Sequence, residues 1–330
     1  MQSGWTGGQY SAFRALLGAY VVFHVAALSD APAALRVLAI PAGMLLSLGL
    51  LDRPAALLAA AAVAWPWPRT LPALALPFVL VLHACLPPAP FGSWAARDRV
   101  DPRGEWSMTP AVRMSAWYAL AGAYFVEALL RLAWLGIPVA AYALSAAFTR
   151  TPPWAWTAML LLQALLPPEG DEATRGALLA LHLFTFDPAW IPRTRAFAPE
   201  TVFYDGHCGL CQRTVRFLLA EDPADSFRFG PLHGDTMQST LSEAARTALP
   251  DSLVVRTEEG ALLLRSNGVI HILRRLGGLW RFCGEALAFV PTVPRDAGYD
   301  AVARVRRLLF APPPEACPVR PRELAARFLP

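Results

Sequence analysis

The sequence predicts a multi-pass α-helical membrane domain over residues 1–195, followed by a small α/β domain over residues 196–330. Three observations predict it. The 330 residues are 55% hydrophobic and only 16% charged, whereas ordinary soluble domains carry about 25% charged residues. The charges are unevenly placed, with 23 in residues 1–199 and 31 in residues 200–330. Long apolar runs fill the first part, while strand and helix periodicities alternate in the second.

The first 190 residues hold apolar segments at roughly 10–28, 33–51, 54–66, 70–86, 111–134, 135–149, 153–167 and 174–187. A helix needs about 20 apolar residues to cross the hydrocarbon core. Several segments are shorter, and Pro66, Pro68, Pro72 and Pro77 interrupt the third and fourth. The expectation is about eight membrane helices, some kinked or re-entrant. Segment one does not read as a cleaved leader, because no basic residue precedes Arg14 and further apolar segments follow at once. Tryptophans such as Trp5, Trp65, Trp94, Trp106 and Trp154 cluster near segment ends, as interfacial belts do.

The arginines give an orientation. Loop 87–110 holds Arg97, Arg99 and Arg103, with Arg113 just beyond, whereas loop 168–173 has no basic residue. With eight crossings, the positive-inside rule puts the C-terminal domain on the cytoplasmic side of a bacterial inner membrane. All 29 basic residues other than histidine are arginine, which reads as GC-rich coding. The net charge of +4 comes without a basic patch interleaved with aromatics, so nucleic acid is not an expected partner.

From residue 200 the elements change. Thr201–Asp205 reads as a strand and Cys211–Glu221 as a helix, with Val215, Leu218 and Leu219 on one face. Phe227–Pro231 is a second strand and Ser239–Leu249 a helix. Ser252–Arg256 and Ala261–Arg265 form a hairpin through Thr-Glu-Glu-Gly. Asn267–Leu276 and Tyr299–Leu309 read as helices, and the tail is Pro-rich. Strand, helix, strand, helix, hairpin, helix is the order of a thioredoxin-like domain.

Five cysteines are present: Cys85, Cys208, Cys211, Cys283 and Cys317. That is not the even, dense set of a secreted disulfide scaffold. Only Cys208 and Cys211 are closely spaced, in Tyr204-Asp-Gly-His-Cys-Gly-Leu-Cys-Gln-Arg213, where a strand gives way to a helix. The thiolate is the attacking form of cysteine. Unpaired N–H groups and the helix dipole favour that form at a helix N-terminus. Cys208 is therefore the expected exposed nucleophile, and Cys211, one turn inward, the residue that resolves the mixed disulfide. Arg213 and Arg216 add positive potential, and Gly206 and Gly209 leave the approach to sulfur open. Asp205 reads either as a proton acceptor or as a carboxylate capping the turn. His207 reads either as a tuner of the thiolate or as a plain loop histidine. Pro250, just before a strand, is open between a cis-proline facing the pair and a trans turn proline.

Residues 201–330 resemble the DCC family of thiol-disulfide oxidoreductases, whose Asp, Cys and Cys match Asp205, Cys208 and Cys211. Further matching stretches are Phe227-Arg-Phe-Gly-Pro-Leu232, Asp251-Ser252, Arg274-Arg-Leu-Gly-Gly278, Tyr299-Asp-Ala-Val-Ala-Arg304 and Cys317-Pro318. Two stretches depart from it. Ser266-Asn-Gly268 stands where members usually have Ser-Asp and small residues, and Arg304-Val-Arg-Arg307 lacks the usual asparagine. The helical part is similar, more distantly, to the HTTM domain shared with vitamin K-dependent carboxylases. The similarity lies in Gly8-Gln-Tyr-Ser-Ala-Phe-Arg14 and the Trp-rich loop before segment five. DCC domains follow such regions. Carboxylase activity in that family needs a lysine base, and this chain has no lysine, so that activity is not carried over.

His24, His83, Glu127, Arg131 and His182 fall in or near apolar segments, where ionisable groups are costly. Glu127 and Arg131 are spaced to pair on one helix face. The three histidines share no motif spacing and receive no site. Cys85 reads as a buried small hydrophobe, Cys283 as packed, and Cys317 as either a third redox cysteine or a structural one. Zinc at Cys208 and Cys211 needs two more ligands, and no second knuckle supplies them.

The resulting expectation is a membrane-tethered protein-disulfide oxidoreductase that needs no cofactor beyond its cysteine pair. Its partners are a protein or small-molecule disulfide or thiol and the lipid bilayer. The alternatives are a redox-sensing transporter or a lipid- or quinone-binding protein gated by the pair, and metal handling through His207, Cys208 and Cys211.

Overall fold

The computed structural model describes residues 4–27, 32–64, 74–104, 106–130, 141–143, 152–165, 172–194, 197–247, 249, 253–311 and 322–330. The chain divides into two compact units, residues 1–97 with 106–190, and residues 98–105 with 191–330. The second unit thus starts five residues before the 195/196 boundary expected from composition and takes in part of loop 87–110. Hydrogen bonds explain the difference. The Gly278 N–H donates to Ile191 O at 3.1 Å, the Thr194 N–H to Arg274 O at 3.2 Å, and Arg216 to Arg99 O at 2.6 Å.

The first unit is helical: α1 (Gly7–Ala27), α2 (Ala33–Leu48), α3 (Asp52–Val63), α4 (Ala75–Ala84), α5 (Pro110–Leu130), α6 (Pro153–Leu165) and α7 (Glu172–Thr185). Helix α1 packs on α2, α2 on α3 and α3 on α4, while α4 and α5 both pack on α7. Two glycines set the α1–α2 approach. A methyl group at Gly43 would meet Gly18 O at 2.8 Å and the Val22 side chain at 2.9 Å, so only glycine allows backbones this close. Inside the bundle, Arg14 donates to Asp52 at 2.9 Å, Tyr10 Oη lies 2.6 Å from His83 Nδ1, and Arg113 donates to Asp187 at 3.0 Å. Each buried charge therefore has a countercharge, the condition for tolerating it away from water.

Among the described residues one helix, α1, is long and apolar enough to cross a membrane; α2 and α4 are shorter apolar helices. Pro77 sits in the first turn of α4, where a missing N–H costs nothing, and does not interrupt it. Pro66, Pro68 and Pro72, most of segment 135–149 and Arg131 lie outside the described residues, as does the Glu127 side chain. His24, His83 and His182 each have a separate partner, Tyr20, Tyr10 and the Trp156 carbonyl.

The second unit runs β1 (Glu200–Tyr204), α8 (Gly209–Glu221), β2 (Phe227–Pro231), α9 (Asp235–Thr240), α10 (Glu243–Thr247), β3 (Val254–Arg256), β4 (Leu262–Leu264), α11 (Arg265–Leu276), α12 (Gly278–Ala288), α13 (Thr292–Leu309) and α14 (Arg322–Ala325). The sheet order is β2-β1-β3-β4. Strands β1 and β2 are parallel, with Val202 opposite Phe229. Strands β1 and β3 are antiparallel, with Val202 opposite Val255, and β3 and β4 form the hairpin. Val202, Tyr204, Phe227, Phe229 and Val255 meet Val215, Leu218 and Ile272 in one apolar core. Burying each such side chain contributes about 1.5–3 kcal/mol relative to exposure.

Three elements differ from the sequence reading. The single helix expected over 239–249 is two short ones, because Leu241 is extended and the Ser242 hydroxyl accepts the Ala245 N–H at 3.3 Å, starting a new helix. Helix α12, not expected, begins after Gly277, whose positive φ of 73° turns the chain sharply. Helix α13 begins seven residues earlier than expected, since Pro294 lies in its first turn. The C-terminal residues also close the sheet. Phe229 N–H donates to Arg327 O at 2.8 Å and Leu329 N–H to Phe229 O at 2.7 Å, alongside β2.

Candidate active site

The site is built where β1 hands over to α8. Alternating apolar residues fix β1 in the sheet, and Asp205-Gly206-His207 turns the chain. Asp205 Oδ1 accepts the His207 N–H at 2.9 Å, and its carbonyl accepts the Cys208 N–H at 3.2 Å. Asp205 is thus placed as the turn-capping carboxylate. His207 is exposed. Gln212 reaches back to the Gly206 carbonyl at 3.0 Å, tying the turn to the helix.

Cys208 is the N-cap of α8, with extended backbone, and its Sγ accepts the Cys211 N–H at 3.4 Å. This satisfies one of the otherwise orphaned donors of the helix start with sulfur in place of the usual hydroxyl or carboxylate. Both cysteines are free thiols. The expected exposed nucleophile is in fact buried, with Cys208 4% and Cys211 7% exposed. A segment distant in sequence packs against the neighbouring Gly209. A methyl group at Gly209 would collide with the Ala311 carbonyl and meet Phe310 Cβ at 3.2 Å. Gly209 therefore admits residues 310–311 over the helix start and does not leave an open path to sulfur.

Burial pushes the Cys211 thiol up to about 12, and the hydrogen bond and charge of Cys208 add to the effect. A backbone contact with Asp205 and the charge of Arg306 act the other way. Only the thiolate alkylates, so at pH 9 roughly one part in a thousand of Cys211 is reactive. Iodoacetamide labelling of Cys211, followed by peptide mass, should rise about tenfold per pH unit between pH 9 and 12. A plateau near pH 9 would show that burial does not control this thiol.

The supporting arginines are arranged differently from expectation. Arg213 lies over the Phe310 ring, 4.9 Å from its centroid, and helps hold the 310–311 segment. Arg216 points to the Arg99 carbonyl. The cation beside the pair is Arg306 of α13, buried at 4% exposure, which sequence reasoning missed as part of a basic run. Its spacing from Gly298, Tyr299, Val302 and Ala303 on one helix face was the available signal. Cys85 and Cys283, expected to be buried, are exposed, Cys85 because it is the C-cap of α4 and Cys283 because it lies on the outer face of α12. Pro250 and Cys317 lie outside the described residues. Among the described residues, no three His, Cys, Asp or Glu side chains converge on a metal-sized site.

Comparisons with known proteins match the same part of the chain. A family model, DCC1-like thiol-disulfide oxidoreductase, matches residues 202–311. The chain is 31% identical over 131 residues to the uncharacterized protein YuxK of Bacillus subtilis, covering 40% of this chain and 94% of that protein. It is 28% identical over 125 residues to a chloroplastic DCC family protein of Arabidopsis thaliana, covering 37% of this chain and 73% of that protein. No solved structure matches the chain. The matched residues contain the strand, the turn and both cysteines, and through them the chain belongs to the DCC1-like thiol-disulfide oxidoreductase family.

Proposed function

We propose that this chain is a membrane-tethered protein-disulfide oxidoreductase that cycles Cys208 and Cys211 between dithiol and disulfide. The observation that carries the reading is Cys208 at the N-cap of α8 with Cys211 one turn inside the helix. Family membership supports the thiol-disulfide chemistry.

The cycle follows from the geometry. The Cys208 thiolate attacks a substrate disulfide, forming a mixed disulfide and releasing one substrate thiolate, which takes up a proton. Cys211 then loses its proton and attacks the Cys208 sulfur. The second substrate thiol leaves and the Cys208–Cys211 disulfide closes. Two electrons pass to the substrate, and an external thiol must restore the pair. Asp205 holds the turn that aims Cys208, and Arg306 favours the Cys211 thiolate at the moment it forms. Cys208 is 4% exposed, with residues 310–311 packed on the adjacent Gly209, so a protein disulfide reaches it only when its surroundings move aside.

The tethering rests on the first unit. Leu16 and Phe23 on α1, Val37 and Met44 on α2 and Leu57 on α3 point outward and are exposed, while Arg14 and Asp52 pair inside. Apolar outside and paired charge inside is the arrangement a bilayer requires of a helical bundle. On this reading the unit is a multi-pass, HTTM-like anchor and the redox domain is cytoplasmic, a reading that the arginine distribution supports. There the thiol pools keep the pair reduced, so the chain acts as a reductase.

The purified full chain should accelerate the reduction of insulin by dithiothreitol and remain with membranes after an alkaline carbonate wash. A rate equal to that of dithiothreitol alone would overturn the enzymatic reading. Release into the wash would overturn the tethering.

A further inference from the structure

The two sulfurs face different surroundings. Residues 310–311 pack on Gly209, next to Cys208, whereas Cys211 forms part of the wall of a cavity of about 510 Å³ between α8, α11 and α13. That volume lies in the range of small-molecule sites, about 300–1,000 Å³. From α13 the wall takes Arg295, Gly298, Tyr299, Val302, Ala303 and Arg306. These positions fall on one helix face, and the stretch from Gly298 to Arg306 runs about 12 Å along the axis. The opposite walls are mostly apolar, with Leu210, Phe217, Val269 and Ile272, and include Thr214 and Ser266. The result is a largely apolar slot with Cys211 and the buried Arg306 guanidinium in its wall.

A slot of this kind takes an aliphatic chain, and the reactive atom it presents is the Cys211 sulfur. We infer that the cavity binds the electron donor, a small dithiol borne on an aliphatic chain, which re-reduces the Cys208–Cys211 disulfide by attacking the Cys211 sulfur. The inference rests on the redox cycle proposed above and names the class of reductant that completes it.

The chemistry balances as follows. A donor thiolate attacks Cys211 Sγ, the enzyme S–S bond breaks, and Cys208 departs as a thiolate. The helix N-terminus receives that charge, with the Cys211 N–H 3.4 Å from Cys208 Sγ. Attack at the other sulfur would have to come from outside the cavity, whose lining includes Cys211 and not Cys208. Exchange at Cys211 is therefore the favoured route. The donor's second thiol then loses its proton and attacks the donor sulfur held in the mixed disulfide. Cys211 leaves beside Arg306 and is protonated. The donor becomes a cyclic disulfide, and two electrons and one proton have passed to the pair, with Cys208 left as the thiolate and the proton of the attacking donor thiol released to solvent.

The test uses the full chain oxidised with diamide, with the Cys208–Cys211 disulfide verified by peptide mass. Dihydrolipoamide, a dithiol on an aliphatic chain, is compared with dithiothreitol, which has no such chain. Dihydrolipoamide should reduce the disulfide with saturation and at least about tenfold faster at equal concentration, because its chain is buried in the slot. Octanamide, the unreactive chain, should compete and remove this advantage. Val302→Trp, which fills the slot, should lower the ratio of the two rates toward one. Competition by octanamide on the wild type carries the test even if that variant does not fold. Equal, unsaturated rates for the two dithiols, indifferent to octanamide, would overturn the cavity assignment and leave the redox cycle standing. Failure of diamide to form the Cys208–Cys211 disulfide would overturn both.

Discussion

Replacing Cys208 with serine is expected to lower insulin turnover by the full chain at least about a thousandfold, since a hydroxyl at this position neither ionises near neutral pH nor exchanges with a disulfide. The geometry distinguishes the two cysteines, so their variants should fail differently. Cys211→Ser retains the first attack at Cys208 but lacks the resolving thiol, whose backbone N–H lies 3.4 Å from Cys208 Sγ. It should accumulate a mixed disulfide with substrate, visible as added mass under non-reducing conditions and lost with dithiothreitol. Cys208→Ser should show no such species. If Cys208→Ser turns over at the wild-type rate, the placement of Cys208 at the N-cap has no catalytic meaning. If Cys211→Ser traps nothing, the resolving role of Cys211 is wrong.

Arg327→Met is expected to destabilise the C-terminal domain by about 3–5 kcal/mol, the usual cost of leaving one member of a buried ion pair without its partner. The Arg327 guanidinium donates to Asp222 Oδ2 at 2.6 Å, to Asp225 Oδ1 at 3.0 Å and to the Phe227 carbonyl at 3.1 Å. Asp222 is 1% exposed, so no water can replace the lost cation. The same interaction carries the C-terminal residues onto β2, and its loss should free that edge. Hydrogen exchange read at β1 and β2 amides, with urea as denaturant, would measure the effect. Asp225→Asn should cost less than about 1 kcal/mol, because the Asp225 carboxylate is largely exposed. A change below about 1 kcal/mol in Arg327→Met would show that the pair does not hold the sheet edge.

The positions of β1, α8 and β2, the hairpin of β3 and β4, and the cysteine pair at a strand-to-helix junction were legible in the amino-acid sequence by itself. So was the change from an apolar, charge-poor first part to an ordinary α/β second part. These features rest on short-range physics. Strand alternation repeats every two residues and helix faces every three or four, and a helix start creates its own field within one turn. Only the tertiary structure decided what surrounds the pair. It packed residues 310–311 on Gly209 beside Cys208, brought Arg306 beside Cys211, split the helix expected over 239–249 and seated Arg327 on Asp222, 105 residues away. None of these has a local signature, because a close contact between distant segments depends on how whole elements pack. The sequence could therefore identify the closely spaced cysteines and their place at the helix start, whereas their burial and the slot beside Cys211 came from the packing of α8, α11 and α13.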